Sequence, residues 1–245
     1  MKTAVISGAS GGIGSAIARR LASDGMTVVV GYATSADRAE ALVAELPGDG
    51  HQARQMAVTD SSALADLADD LAATHGAVDA LVNCAGMTEP VPHGDLASLD
   101  DELIDRIFAT NWRGPFASIR AFEGLLRKAD APVVVNISSV AAVTGQGSNV
   151  AYCASKAALD SMTRSLARAL GPAIRVVSVS PGWVLGEYAA RMPTEVLDVQ
   201  RDATPLHRLA TGDDVAAAVS AAIHHLPFTT GAIIPVDGGR PLGTT

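Results

Sequence analysis

The sequence predicts an α/β protein: a doubly wound parallel sheet of about seven strands with helices on both faces, forming a single domain over residues 1–245. Three observations carry this expectation. Short apolar runs such as TVVVGY are near-continuous rather than alternating, as strands buried on both faces are. Stretches with apolar residues at helical spacing alternate with those runs from end to end. No linker, repeat or low-complexity tract interrupts the order.

Each element has its own signal. Residues 4–7 read as a buried strand, followed by glycines and a helix carrying Ile13, Ile17 and Leu21 on one face. Residues 27–32 form a second strand, and Ser35 stands as N-cap of a helix through Leu46, ended by Pro47-Gly48. Residues 52–58 read as a third strand, and 61–75 as a helix with Leu64, Leu67, Ala68 and Leu71 on one face. Residues 79–83 form a fourth strand, and a Pro- and Gly-rich loop spans 86–97. Ser98 with Asp101 resembles a capping box, opening a long helix toward Lys128 that bends near Gly114-Pro115. A strand at 132–138 precedes a helix at 152–170, stopped by Gly171-Pro172. A strand at 174–180, irregular helix at 187–203, a helix at 213–225 and a strand at 232–236 complete the chain.

Apolar residues at 48% and charged residues at 18% provide for a large core and argue against disorder. A net charge of −8 repels phosphate backbones, so no nucleic-acid partner is expected. No apolar run approaches the ~20 residues that span a bilayer, and the N-terminus lacks the pattern of a signal peptide. Cys84 and Cys153 form no metal or CxxC pattern and read as free thiols in a reducing compartment, so the cytoplasm is the expected location.

The first strand runs into Ser7-Gly8-Ala9-Ser10-Gly11-Gly12-Ile13-Gly14. Glycines here permit a tight turn and close backbone approach to a pyrophosphate, and the following helix offers unpaired N–H groups. A dinucleotide is thus the expected ligand, with Gly8, Ser10, Gly12, Ile13 and Gly14 as its cradle. The second strand bears on which one. An NAD site usually ends this strand in a carboxylate for the ribose 2′-hydroxyl. Here Tyr32-Ala33-Thr34-Ser35 carries none before Asp37. Thr34 and Ser35 offer donors and Arg38 a charge, so NADP is the expected cofactor, with NAD the alternative; Ser35 capping its helix and Arg38 in solvent is an equally simple account.

Tyr152 and Lys156 stand four residues apart, on one face of one helix. An ammonium beside a phenol stabilises the phenolate, and the pair can then exchange a proton while a hydride moves. Alone, this spacing more often marks a packed ring beside a solvated lysine. Its setting changes the balance: Asn136-Ile137-Ser138-Ser139 ends the fifth strand, and carboxyl ends of such strands line the ligand crevice. Ser139 can hydrogen-bond a carbonyl oxygen there, although a turn hydroxyl is the plain reading of either serine.

These motifs together resemble the short-chain dehydrogenase/reductase family over nearly the whole chain. They are SGASGGIG at 7–14, NCAG at 83–86, Asn111 in TNWRG, NISS at 136–139, YCASK at 152–156, PGWV at 181–184 and VDGG at 236–239. The resemblance implies a Rossmann fold and a tetrad of Asn111, Ser139, Tyr152 and Lys156. In it Tyr152 is the acid for carbonyl reduction, Lys156 holds the nicotinamide ribose, Ser139 orients the substrate oxygen, and Asn111 shapes its helix and holds a relay water. It further implies that Val58 faces the adenine, that Asn83, Ala85, Gly86, Pro181 and Gly182 line the cofactor crevice, and that Val184 meets the nicotinamide amide. A homotetramer is implied as well.

Some positions depart from the family pattern. Cys84 stands where a second Asn is common, Gly11 where NADP-using relatives carry Arg or Lys, Ala57 where an Asp often meets adenine, and Gly186 where a threonine is often seen. Residues 87–93 and 185–204 are expected to flank the substrate pocket, with 185–205 a mobile lid. Trp183, Tyr188 and Met192 either wall that pocket or pack under the lid, and His93 and His207 have no catalytic partner and read as surface residues. The expected reaction interconverts a ketone and a secondary alcohol, in the reductive direction with NADPH, a 3-oxoacyl thioester being one candidate substrate. The alternatives are an NAD-dependent secondary-alcohol or sugar dehydrogenase, or a non-catalytic dinucleotide-binding subunit.

Overall fold

The computed structural model describes residues 2–186 and 189–242. Seven strands, β1 (Thr3–Ser7), β2 (Thr27–Tyr32), β3 (Gln52–Gln55), β4 (Ala80–Asn83), β5 (Val133–Ile137), β6 (Arg175–Pro181) and β7 (Ile233–Val236), form one sheet. All pairings are parallel, in the order β3-β2-β1-β4-β5-β6-β7. The order reverses between β1 and β4, and at such a switch point the carboxyl ends of the strands open a crevice.

Helices α1 (Gly12–Ser23), α2 (Ala36–Glu45) and α9 (Gly212–His224) accompany one apolar cluster, in which Ile17, Leu21, Val28, Val30, Val135, Val177 and Val219 pack together. Helices α3 (Ser61–Thr74), α5 (Gly114–Leu126) and α7 (Val150–Leu170) accompany the other, built on Val5, Leu64, Leu71, Phe122, Val134 and Leu159. Two cores on opposite faces of one sheet explain why the strands are apolar without alternation: β1 and β5 are buried at every position.

Several boundaries differ from the sequence expectation. The third strand ends at Gln55, because Met56–Val58 turns toward the cavity described below. The cap before α4 (Asp101–Phe108) is Asp100, whose carboxylate accepts from the Leu103 N–H at 2.8 Å; Ser98 with Asp101 does not form the expected box. Ser35 occupies the N-cap position of α2, but its hydroxyl makes no capping bond. The bend expected near Gly114-Pro115 is a π-helical turn over Ala109–Arg113. The last helix is held by a capping box that the sequence reading passed over, between Thr211 and Asp214. The 187–203 stretch resolves into α8 (Thr194–Asp202) and a 3₁₀ turn, Ala189–Arg191, before it. A short α6 (Ala141–Thr144) follows β5.

Candidate active site

A polar row crosses the carboxyl end of the sheet. Register sets Ser7 beside Asn83, Asn83 beside Asn136, and Asn136 beside Ser178. Buried polar groups need partners, and these find one another. Asn83 Nδ2 donates to Asn136 Oδ1 at 2.8 Å, Asn136 Nδ2 donates to Thr163 Oγ1 at 2.9 Å, and Thr163 meets Ser178 at 2.8 Å. Ser7 Oγ accepts from the Cys84 and Ala85 N–H groups, both at 3.2 Å, and so folds the chain after β4 back over β1.

Above this row lies a cavity of 1230 Å³. Its wall includes Gly8, Ser10, Gly12, Ile13 and Gly14 at one end, Thr34, Ser35, Arg38 and Val58 beside them, and Ala85 and Gly86 at the switch point. Ser139, Tyr152, Lys156, Pro181, Gly182, Trp183 and Val184 complete the side under β5 and β6. The loop before α1 fits a pyrophosphate. A Cβ on Gly12 would meet no atom within 4 Å, so that face is open to the cavity, and no side chain caps the first turn of α1. Val58 is pressed against α5: a Cβ on Gly114 would lie 2.8 Å from its Cγ2, which accounts for a glycine at that helix start.

Lys156 is buried, and its Nζ donates to the Ile137 carbonyl at 2.8 Å while lying 5.8 Å from the centre of the Tyr152 ring. Burial pulls its ammonium down to about 8, and the nearby Asp160 opposes that shift. Asp160, one turn along α7, is itself buried, and loss of hydration raises its carboxyl above the ordinary range. The Cys84 thiol, half-buried in the cavity wall, is pushed up to about 12 by loss of hydration and stays neutral. Cys153 is buried and its thiol is likewise raised.

The depressed lysine has a stability consequence. Unfolded, Lys156 binds its proton up to the ordinary 10.5; folded, only up to about 8. Between those values the unfolded chain holds more proton, so stability rises with pH across that window. Lys156→Met, which removes the buried charge, is expected to be more stable than the parent at pH 7, by up to about 3 kcal/mol less the lost bond to Ile137. Thermal melts from pH 7 to 10.5 should show the difference shrinking as pH rises; a difference independent of pH would contradict this.

Tyr152 owes its position to α7's first turn. Asn149 Oδ1 accepts from the Tyr152 N–H at 2.7 Å, and Asn149 Nδ2 donates to the Glu89 carbonyl at 2.7 Å, tying the helix to the 87–93 loop. The sequence reading started this helix at Tyr152 and missed Asn149, although Asn is a favoured N-cap. Ser139 Oγ accepts from the Ala141 N–H at 3.2 Å, an arrangement that leaves its own hydrogen to donate.

Two expected site residues do not line the cavity. Asn83 is enclosed in the polar row. Asn111 is fully buried in the π-helical turn, where its amide donates to the Met87 carbonyl at 3.0 Å and to Ser155 Oγ at 3.1 Å and accepts from the Met87 N–H at 2.8 Å. Its side chain is therefore occupied in fastening the 87–93 loop to α7. Tyr188 lies outside the described residues. The expected flanks are in place: Met87, Thr88, Val91 and His93 line the cavity on one side, Leu185, Arg191, Met192 and Gln200 on the other. His93, read as a surface residue, is exposed but part of this wall, its ring 3.0 Å from the Gly147 carbonyl. The 145–148 loop was not foreseen; a Cβ on Gly147 would lie 3.1 Å from the Tyr152 ring, so this loop braces the tyrosine.

The fold is of the Rossmann type, with its cavity at the carboxyl end of the sheet. Comparison with known proteins narrows this. A family model described as enoyl-(acyl carrier protein) reductase matches residues 8–240. A protein of Streptomyces violaceoruber named for ketoacyl reductase 2 of granaticin polyketide synthase is 35% identical over 98% of this chain and 96% of its own. A 3-oxoacyl-[acyl-carrier-protein] reductase of Staphylococcus epidermidis is 31% identical over 97% of this chain and 98% of its own. A solved structure from Burkholderia xenovorans, described as a short-chain dehydrogenase/reductase, superposes with a TM-score of 0.92 at 33% identity, covering 99% of each chain. The chain belongs to the short-chain dehydrogenase/reductase family and is an oxidoreductase. Among the described residues no helix is long and apolar enough to cross a membrane.

Proposed function

We propose that this chain reduces a ketone to a secondary alcohol with NADPH. The observation that carries the reading is the buried Lys156 beneath the Tyr152 ring, beside Ser139, in a cavity that reaches the open first turn of α1. When bound, the reduced nicotinamide supplies the hydride. The chain's own residues do the rest. Ser139 donates to the carbonyl oxygen and fixes its position, and Tyr152 protonates that oxygen as negative charge develops on it. Lys156, charged below about pH 8, favours the phenolate left behind and holds the ribose. Asn111 acts at one remove, by holding Met87 and Ser155 in place.

The charges of the wall support NADPH rather than NADH. Among the described residues lining the cavity none is Asp or Glu, and Thr34, Ser35 and Arg38 stand together where the second strand ends. A phosphate on the 2′-oxygen meets donors there and no repelling carboxylate. Gly8, Ser10, Gly12, Ile13 and Gly14 hold the pyrophosphate, Val58 the adenine, and Ala85, Gly86, Pro181, Gly182 and Val184 the nicotinamide half. Leu185 and residues 189–205 flank the substrate, with Trp183 and Met192 as walls. A 3-oxoacyl thioester is the favoured substrate class by similarity, in a cytoplasmic homotetramer.

Fluorescence titration of NADPH and NADH tests the cofactor: NADPH should bind at least about tenfold tighter, since one charge-assisted hydrogen bond contributes about 1.5–3 kcal/mol. Equal affinity or a preference for NADH would overturn the assignment. A carbonyl panel followed at the nicotinamide absorbance tests the reaction.

A further inference from the structure

Beside the cavity, and sharing Trp183 with its wall, lies a side pocket of 250 Å³. Val140, Gln146, Trp183 and Gln200 line both spaces, while Arg240 belongs to the side pocket alone. A closed turn positions Arg240. Asp237 accepts from the Gly239 N–H at 2.8 Å and from the Arg240 N–H at 3.1 Å, closing a turn in which Gly238 and Gly239 have φ of 62° and 82°. Those glycines pack under the end of α8, where a Cβ on Gly238 would lie 2.7 Å from Thr204 and one on Gly239 would lie 3.1 Å from Pro205.

The half-buried Arg240 guanidinium donates from Nε and Nη2 to Gln200 Oε1 at 3.4 and 3.1 Å. An amide oxygen is a neutral acceptor, and the planar fork carries five N–H groups. Several arginines in this chain meet carboxylates, as Arg54 meets Asp70 and Arg208 meets Asp214, both at 2.7 Å, while Arg175 is ringed by backbone carbonyls. Among the described residues Arg240 has no acidic partner, and no Asp or Glu lines either space. A partly desolvated cation facing only neutral walls is a ready anion site.

We propose that the side pocket is a carboxylate subsite, and that the natural substrate, a 3-oxoacyl thioester included, carries a carboxylate remote from the reacting carbonyl. Val140, which follows Ser139 directly, lines both spaces, so the side pocket borders the part of the cavity where Ser139 and Tyr152 would hold the carbonyl. The volume is below the usual ~300–1,000 Å³ of a whole-ligand site, so it takes one end of a molecule. Placement of the carbonyl rests on the function proposed above; the charge preference of the side pocket does not.

Binding of benzoate and of its neutral analogue benzamide, measured by calorimetry with and without NADP⁺, tests the subsite without requiring turnover. Benzoate should bind at least about tenfold tighter. Arg240→Gln should erase the preference, and Gln200→Glu, which gives Arg240 an internal carboxylate, should do the same. Lys128→Gln, which removes an exposed cation remote from the cavities, should leave it intact. Equal binding of the two probes, a preference that survives Arg240→Gln, or one lost in Arg191→Gln instead, overturns the proposal. Benzoate selectivity without turnover of any carbonyl would sink the reductase reading and leave the subsite standing. Turnover of ketones with no benzoate selectivity would do the reverse.

Discussion

Replacing Tyr152 by phenylalanine should lower kcat for carbonyl reduction by roughly 10²–10⁴-fold, the usual worth of a positioned general acid. The ring stays, and with it the contacts to the 145–148 loop and to Lys156, so the fold should be unaffected. The cofactor dissociation constant should change little, because the cradle before α1 is remote from the phenol. The loss therefore falls on kcat rather than on binding, the sign of an interaction made in the transition state. Lys156→Met should produce a comparable loss, and combining the two should cost scarcely more than the worse single change, since the pair acts as a unit. Full activity in Tyr152→Phe would remove the tyrosine from the mechanism. Additive losses in the double variant would separate the lysine from it.

The fold was legible because the strands needed no pairing information to be recognised. Residues 4–6, 28–30 and 133–135 are apolar without alternation, and a sheet covered on both faces accepts that. Edge elements were harder: β3 is only partly buried, and nothing local says that it stops at Gln55. In the site, Ser139, Tyr152 and Lys156 could be read from spacing, since one helix turn and one strand end fix where they point. Asn111 could be found by resemblance, but not the π-helical turn that buries it, because the turn depends on packing between α4, α5 and α7. Asn83 shows the opposite case. It sits in a cavity-type motif, yet its amide is claimed by Asn136 on the neighbouring strand, a pairing set by sheet register 53 residues away. Arg240 and Gln200 meet only because the end of α8 packs on the C-terminal turn, and no sequence pattern announces that.

Gly14→Ala and Gly12→Ala should part company, although the two glycines are a residue apart. Gly14 has ordinary helical backbone, so its requirement is steric rather than conformational. A Cβ there would lie 2.3 Å from the Gly8 carbonyl oxygen and 2.7 Å from the Ala9 Cα, both backbone atoms in a buried turn. Neither can yield without moving β1's carboxyl end or the start of α1. The Gly8 carbonyl also accepts from the Gly11 N–H at 3.2 Å, and Gly8 itself has φ of 66° and backs onto Ala85. Overpacking of this kind costs roughly 3 kcal/mol, which for a chain of this size lowers Tm by roughly 6–12 °C. At Gly12 an added methyl meets nothing, so the unliganded protein should melt within about 2 °C of the parent, helped slightly by alanine's better helix propensity. That methyl instead stands in the cavity, where a pyrophosphate must approach the backbone closely. Gly12→Ala should therefore keep its Tm and weaken NADPH binding by at least about tenfold, whereas Gly14→Ala should lose both. Calorimetric melts paired with NADPH titrations separate the outcomes. An unchanged affinity in Gly12→Ala would mean that the cofactor phosphates lie elsewhere, and an unchanged Tm in Gly14→Ala would mean that the turn is looser than its contacts imply.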